Sequence, residues 1–122
     1  MSKQKNRLGK WGEDLAAAYL IGEGYEMRER NFRTEYGEVD LIASKGNTIT
    51  FVEVKTRSGD RYGMPEEGVT AEKQEHMIAA AMAYLQENPE HEGDWRIDVI
   101  AIRKTSPGGK PEIEHFENAI QA

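Results

Sequence analysis

The sequence contains no cysteine, which excludes disulfide scaffolds, thiolate zinc sites, iron–sulfur clusters and cysteine nucleophiles. It contains no run approaching the roughly 18 consecutive apolar residues of a membrane-spanning helix, so no membrane partner is expected. Its first residues, Met1-Ser2-Lys3-Gln4-Lys5-Asn6-Arg7, are polar where a secretory signal would be apolar, and a cytoplasmic location is the expectation. Neither a Ser/His/Asp arrangement nor a phosphate-cradling glycine loop stands out. Hydrophobic residues are scarce, 38% of 122 positions, against roughly 45–50% in an average domain. They nevertheless fall in patterned clusters, and a chain of this length buries a core without staples. Residues 1–122 therefore read as a single domain with its core over about 8–102.

The net charge of -6 argues at first against a nucleic-acid partner, but the charge is uneven. Residues 1–61 carry 11 Lys/Arg and 10 Asp/Glu, whereas residues 62–122 carry 5 and 12. Phosphate contacts depend on local fields and not on the global sum. Lys3, Lys5, Arg7 and Lys10, followed by Arg28, Arg30 and Arg33, make the first third locally basic. Of these, Lys3, Lys5, Arg7, Arg28, Arg30 and Arg33 are candidates for contacting a nucleic-acid backbone; a solvated basic tail explains the charge alone equally well.

Apolar spacing predicts an amphipathic helix from Lys10 to Gly22, ended by Gly22 and Gly24. Strands follow over Tyr25–Phe32, Glu38–Ala43 and Thr48–Lys55. Gly46-Asn47 suits a two-residue hairpin loop between the second and third. A glycine-rich loop covers residues 56–69. Thr70 then caps a helix through Gln86, with Met77, Ile78, Ala81, Met82 and Leu85 on its buried stripe. Trp95–Ile102 reads as a covered central strand. After a Pro-Gly-Gly turn at 107–109, Glu112–Phe116 is a candidate edge strand. The resulting α-β-β-β-α-β order predicts a mixed β-sheet in an α/β fold with helices packed on it.

The hairpin carries the chemistry. With Gly46 and Asn47 as the loop, Asp40 falls opposite Glu53, Glu38 opposite Lys55, and Ile42 opposite Phe51. Directly opposed side chains have Cβ atoms roughly 4.5–5.5 Å apart, and like charges there are destabilising. Two carboxylates about 4 Å apart repel by roughly 4 kcal/mol at an effective dielectric near 20. A shared proton, a lysine or a divalent cation must compensate, and a hard cation suits two carboxylates best. Lys55 lies two residues beyond Glu53, on the same strand face. Two acids, a metal and an ammonium together serve phosphodiester hydrolysis. The plainer alternative is a pair of ion pairs, Glu38–Lys55 and Asp40–Arg57, with Glu53 left to the lysine.

The strings Gly37-Glu38-Val39-Asp40-Leu41-Ile42-Ala43 and Phe51-Val52-Glu53-Val54-Lys55-Thr56-Arg57 resemble the YraN family of small bacterial proteins. So do Gly9-Lys10-Trp11-Gly12-Glu13-Asp14-Leu15-Ala16, Asn31-Phe32-Arg33 and Ala83-Tyr84-Leu85, so that the resemblance spans about residues 8–102. That family is similar to the restriction-endonuclease-like PD-(D/E)xK superfamily, and within it to archaeal Holliday junction resolvases. The resemblance implies a three-layer fold of core order α-β-β-β-α-β and a DNA endonuclease using Mg2+ or Mn2+, with branched or otherwise structured DNA as partner and a homodimer as the working unit. It implies that Asp40, Glu53, Glu13 and the Val54 carbonyl hold the metal and that Lys55 is the catalytic lysine. Val39 stands where the superfamily motif names proline. A non-catalytic nucleic-acid-binding or scaffolding protein that retains the fold is the alternative, and a nuclease acting on RNA is another.

Several further residues enter as candidates. Arg57 and Arg61 are placed to clamp phosphates and Tyr62 to stack on a base. Lys73 and Gln74 open the second helix, with either the site or solvent before them. Asp98 lies on a buried strand and requires a partner, expected to be a nearby cation. His76, His91 and His115 show no ligand spacing and read as surface residues. Trp11, Tyr19, Met77 and Met82 read as core.

Overall fold

Helix α1 (Lys3–Gly22) leads into strands β1 (Glu26–Arg33), β2 (Glu38–Lys45) and β3 (Thr48–Ser58), then helix α2 (Ala71–Glu87) and strands β4 (Asp94–Lys104) and β5 (Glu112–Ile120). The computed structural model describes residues 3–58, 69–104 and 108–121, with the backbone alone for residues 3–6 and Ser58. The expected α-β-β-β-α-β order is present, extended by β5. The strands form one sheet in the order β1-β2-β3-β4-β5, antiparallel except for the parallel β3–β4 pair. A mixed sheet therefore underlies the fold.

The alternation of β2, β3 and β4 divides the core in two. One set of side chains, including Ile42, Phe51, Ile97 and Val99, packs with Met77, Ala80, Ala81 and Tyr84 of α2. The other, including Leu41, Ala43, Val52, Ile100 and Ile102, packs with Ala16, Ala17 and Leu20 of α1. The helices thus cover opposite faces of the sheet. Each fully buried Leu, Ile or Phe contributes roughly 1.5–3 kcal/mol of transfer free energy, enough to hold both layers without cross-links.

Local signals explain most boundaries. Beyond the end of α1, the Tyr25 N–H reaches the Leu20 carbonyl at 2.9 Å and the Gly24 N–H reaches that of Ile21 at 3.0 Å, with Gly24 at φ 94°. This pair of hydrogen bonds needs a left-handed residue between helix and strand. Gly46 at φ 60° turns the β2–β3 hairpin, and Lys45 pairs with Thr48 as a two-residue loop requires. The Thr70 hydroxyl caps α2 by accepting the Lys73 N–H at 3.1 Å.

Other boundaries depart from expectation. Helix α1 starts seven residues before Lys10; its first turns are Lys, Gln, Asn and Arg, mostly good helix formers that contribute no apolar period. Strand β3 runs to Ser58, so residues 56–58 are strand and not loop; of the predicted loop, residues 59–68, with Arg61 and Tyr62, lie outside the described residues. Strand β5 reaches Ile120 through a bulge, with Asn118 at φ 52° and the register against β4 shifting between Ile97 and Val99. Met82 is 43% exposed and not core, because the buried stripe of α2 runs through Met77, Ala80, Ala81 and Tyr84 and turns Met82 outward. Trp11 and Tyr19 are partly buried against the α1-side core.

Gly12 sets how closely α1 approaches the sheet. A Cβ there would overlap the Thr56 hydroxyl on β3, so glycine is kept inside a helix where it ordinarily costs about 0.5–1 kcal/mol against alanine. Gly12→Ala is expected to destabilise the fold by roughly 1–3 kcal/mol through overpacking, measured by urea unfolding. The same substitution in a Thr56→Gly background should cost clearly less; an equal cost in both backgrounds would show that this contact is not the cause.

Candidate functional site

The site begins where two strands separate. The β2–β3 ladder ends at Leu41 opposite Val52. Beyond it β2 stays with β1, pairing Val39 with Phe32 and Glu38 with Arg33, while β3 continues along β4 to Ser58. At the fork, Asp40 Oδ2 accepts the Val54 N–H at 2.8 Å. The carboxylate thus satisfies a backbone donor beyond the last β2–β3 pair. The observed hairpin register brings Asp40 up to Glu53, as the loop arithmetic requires. Glu38 is not opposite Lys55, however: it pairs with Arg33, whose Nε lies 3.2 Å from Glu38 Oε2. Among the described residues neither a Glu38–Lys55 nor an Asp40–Arg57 ion pair forms, because the strands have parted by that point.

Glu53 is 4% exposed, a costly setting for a carboxylate without a cationic partner. Its Oε1 accepts a hydrogen bond from Lys73 Nζ at 2.7 Å, and Lys55 Nζ lies 3.9 Å away. Lys55 therefore shares the face of Glu53, as strand alternation predicts. Lys73 belongs to the site as well; it reaches across from the first turn of α2, on the face of the sheet that α2 covers. Nothing in the linear sequence aims that side chain at Glu53, and its nearest sequence signal is the Thr70 cap that starts the helix three residues earlier.

The electrostatics follow from crowding. Burial, and next the charge of Glu53, raise the Asp40 carboxyl from its usual 3.8 to about 7; the Val54 N–H and Lys73 oppose the shift, and Glu13 adds to it. Burial, followed by the Lys73 ammonium, lowers Lys55 despite Glu53 beside it. Burial also pulls Lys73 down, but the hydrogen bond to Glu53 and the charges of Glu53, Asp40 and Glu38 outweigh it, and its proton is held more tightly than usual.

This donor set fits a hard divalent cation: two crowded carboxylates, one of them unable to ionise readily beside the other, are what such an ion relieves. The Val54 carbonyl lies on the same strand, one residue after Glu53. Glu13 on α1 lies near enough to raise Asp40, with its Oε1 4.0 Å from Arg30 Nη2. Among the described residues, though, no three His, Cys, Asp or Glu side chains already converge as a metal cage.

The predicted backbone-contacting cations are dispersed. Arg30 bonds Asp14 at 2.7 Å, Arg33 pairs with Glu38, and Arg28 donates to the Tyr84 hydroxyl at 2.8 Å. Arg7 and Arg57 are exposed, on α1 and at the far end of β3. Lys3 and Lys5 lie on α1, but their side chains, like Arg61, are outside the described residues. The Arg30–Asp14 and Arg33–Glu38 pairs are of the exposed kind worth about 0–1 kcal/mol.

Asp98 finds the cation expected of it and more. It is fully buried, on the opposite sheet face from Glu53, and accepts Arg96 Nε at 3.0 Å and the Asn118 N–H at 2.8 Å. His115 Nε2 lies 2.6 Å from its other oxygen. His115 is therefore not a surface residue: its side chain is 9% exposed, because the β5 edge strand folds back beside β4 and turns it inward.

The Asp40 shift has a definite sign. Between about pH 4 and pH 7 the folded chain holds a proton on Asp40 that the unfolded chain has lost, so stability falls as pH rises through that window. Asp40→Asn keeps an acceptor for the Val54 N–H and removes the ionisation. Urea unfolding from pH 4 to 8 should show a loss on the order of a few kcal/mol in the parent chain, flattened in the variant. Parallel curves for the two would sink this account of the crowded carboxylates.

Comparison with known proteins places the chain. The profile of the "Uncharacterised protein family UPF0102" matches residues 12–102, a span that contains Glu13, Asp40, Glu53, Lys55 and Lys73. The chain is 47% identical over 113 residues to a UPF0102 protein of Syntrophomonas wolfei, covering 93% of this chain and 96% of that one. It is 49% identical over 113 residues to a UPF0102 protein of Rhodococcus opacus, covering 93% and 95%. A UPF0102 protein of Syntrophotalea carbinolica is 44% identical over 120 residues, 98% of this chain and 96% of its own. The chain therefore belongs to the UPF0102 (YraN) family.

Proposed function

We propose that this protein is a metal-dependent endonuclease with a restriction-endonuclease-like fold, hydrolysing phosphodiesters of DNA, with branched or Holliday-junction-like DNA as the substrate class. The observation that carries this reading is the buried Asp40–Glu53 pair at the β2–β3 fork, flanked by Lys55 and Lys73. An acid crowded against an acid costs stability, and such a pair flanked by two lysines suits a reaction centre better than a core.

In this reading Asp40 and Glu53 would hold Mg2+ or Mn2+, with the Val54 carbonyl and Glu13 as further ligands. Such an ion, when bound, would supply positive charge to the phosphoryl oxygens and lower the pKa of an attacking water. Lys55, as an ammonium beside Glu53, orients that water and faces the negative charge that builds on the phosphoryl oxygens. Lys73 holds Glu53 in place when no substrate is bound and faces the developing negative charge when one is. Arg57, Arg33 and Arg30 exchange their solvent or acidic contacts for backbone phosphates. Symmetric cleavage of two strands needs two such centres, which a homodimer supplies.

One observation favours a second reading. The 2.7 Å Lys73–Glu53 bond already neutralises one carboxylate, as a binding or scaffolding protein that retained the fold without catalysis would also show.

The deciding assay offers four-way-junction, flap, single-stranded and duplex DNA with Mg2+ or Mn2+. Cutting of at least one substrate is expected, reduced by at least about 10²-fold in Glu53→Gln and in Lys55→Ala. Binding with no metal-dependent cutting of any substrate would favour the scaffolding reading, and cutting indifferent to Glu53→Gln would place the chemistry elsewhere. Independently of turnover, Mg2+ should raise the Tm of the parent chain by mass action and leave that of the Asp40→Asn, Glu53→Gln double variant unmoved.

A further inference from the structure

Two ammonium groups share one oxygen of Glu53: Lys73 Nζ lies 2.7 Å from Oε1 and Lys55 Nζ 3.9 Å from the same atom. Like charges so close repel each other, and the two lysines are held very differently. Lys55 stands on β3, its backbone paired with Ala101 of β4 and its side chain 20% exposed. Lys73 stands on the first turn of α2, where the Thr70 hydroxyl fixes its N–H, yet its side chain is 43% exposed. It also lines a groove of about 300 Å³ that runs from Gly37 and Glu38 to Thr70 and His76. Its long side chain can therefore leave Glu53 through the groove with no change in the backbone.

A carboxylate oxygen that accepts from an ammonium at 2.7 Å is a poor ligand for a hard cation, since both draw on the same lone pairs. A divalent ion added to Glu53 with both lysines in place would also leave the local charge strongly positive. Lys55 is fixed by its strand, so Lys73 is the group that gives way. The chain offers it no ready substitute along the groove. Glu38 is already paired with Arg33, and Glu72 is its immediate neighbour on the helix, where adjacent side chains do not face each other.

Resting on the metal site of the proposed function, we propose that Lys73 is an internal counter-ion that competes with the divalent cation for Glu53, and that a backbone phosphate of the nucleic acid receives Lys73 when it is displaced. Cation and nucleic acid are then coupled through this one side chain. Without a phosphate, the cation must break the Lys73–Glu53 bond and leave the ammonium unpartnered. With a phosphate present, Lys73 moves from one anion to another and Glu53 is freed. Each ligand therefore tightens the other, and linkage requires the two factors to be equal. The centre is completed on its substrate and kept closed by its own lysine in the free chain.

Two binding measurements on the full chain test this without turnover. Mn2+ affinity in the absence of DNA, read from the electron paramagnetic resonance of the free ion, is expected to be about three- to tenfold tighter in Lys73→Met than in the parent, the scale of a partly exposed, hydrogen-bonded ion pair. Affinity for four-way-junction DNA, read by fluorescence anisotropy, is expected to be nearly the same for both proteins in EDTA. With Ca2+, which takes oxygen ligands as Mg2+ does, it should be weaker in Lys73→Met by that same factor. Lys73→Gln keeps a neutral donor for Glu53 and serves as a second variant, with both quantities moving in the same directions. Equal Mn2+ affinity in parent and variants would overturn the competition and leave the metal site standing. A loss of DNA affinity that is the same with and without Ca2+ would show that only a nearby charge had been removed, and would overturn the coupling. Failure of parent and variants alike to bind Mn2+ would instead remove the metal site, and this inference with it.

Discussion

The crowding of Asp40 against Glu53 governs how the forked end of the β2–β3 hairpin is built. Two carboxylates come together because a tight turn and an uninterrupted ladder carry them to facing positions, and the ladder then stops. Had β2 and β3 stayed paired to their ends, backbone would have filled the space that Asp40 now fills with its carboxylate, donor Val54 included. The fork opens the sheet beside Asp40 and Glu53. Lys55 from β3 and Lys73 from α2 bring their ammonium groups to Glu53.

Asp98 shows what a buried acid looks like when the fold settles its charge internally. It has a guanidinium, an imidazole and a backbone N–H on its two oxygens. Asp40 has one backbone N–H and a like-charged neighbour. Both residues lie in the same sheet, yet one is compensated within the chain and the other is left dependent on its surroundings. That contrast, more than burial itself, separates an acid satisfied within the fold from one that is not. It also separates the two faces of the sheet: α2 brings a lysine to the fork, whereas β4 and β5 bring an arginine and a histidine to Asp98.

Much of this was legible in the order of residues. The alternation of Leu41, Ile42 and Ala43 against Thr50, Phe51 and Val52, together with Gly46-Asn47, sufficed to place Asp40 beside Glu53 and to put Lys55 on the same face. The Thr70 cap and the glycines after α1 marked helix ends correctly. The polar first turns of α1 and the bulged continuation of β5 were not legible, since hydrophobic periodicity is silent where side chains are polar and where a bulge shifts the register. Met82 was misread because an apolar residue at a plausible spacing is not distinguished, in one dimension, from its neighbour one step around the helix.

The sequence by itself determined the hairpin, its register, the capping of α2, the two-faced character of the central strands and, through these, the acidic pair and its lysine. Each of those depends on residues close together along the chain, where steric preference and period-two alternation act directly. Tertiary structure alone decided that Lys73 bonds Glu53, that Glu38 turns to Arg33, that Arg30 is held by Asp14, and that His115 is drawn inside to Asp98. Those contacts join residues 5 to 20 positions apart, and their partners are chosen by which helix covers which face of the sheet and by where two strands diverge, neither of which is encoded in any local stretch of sequence.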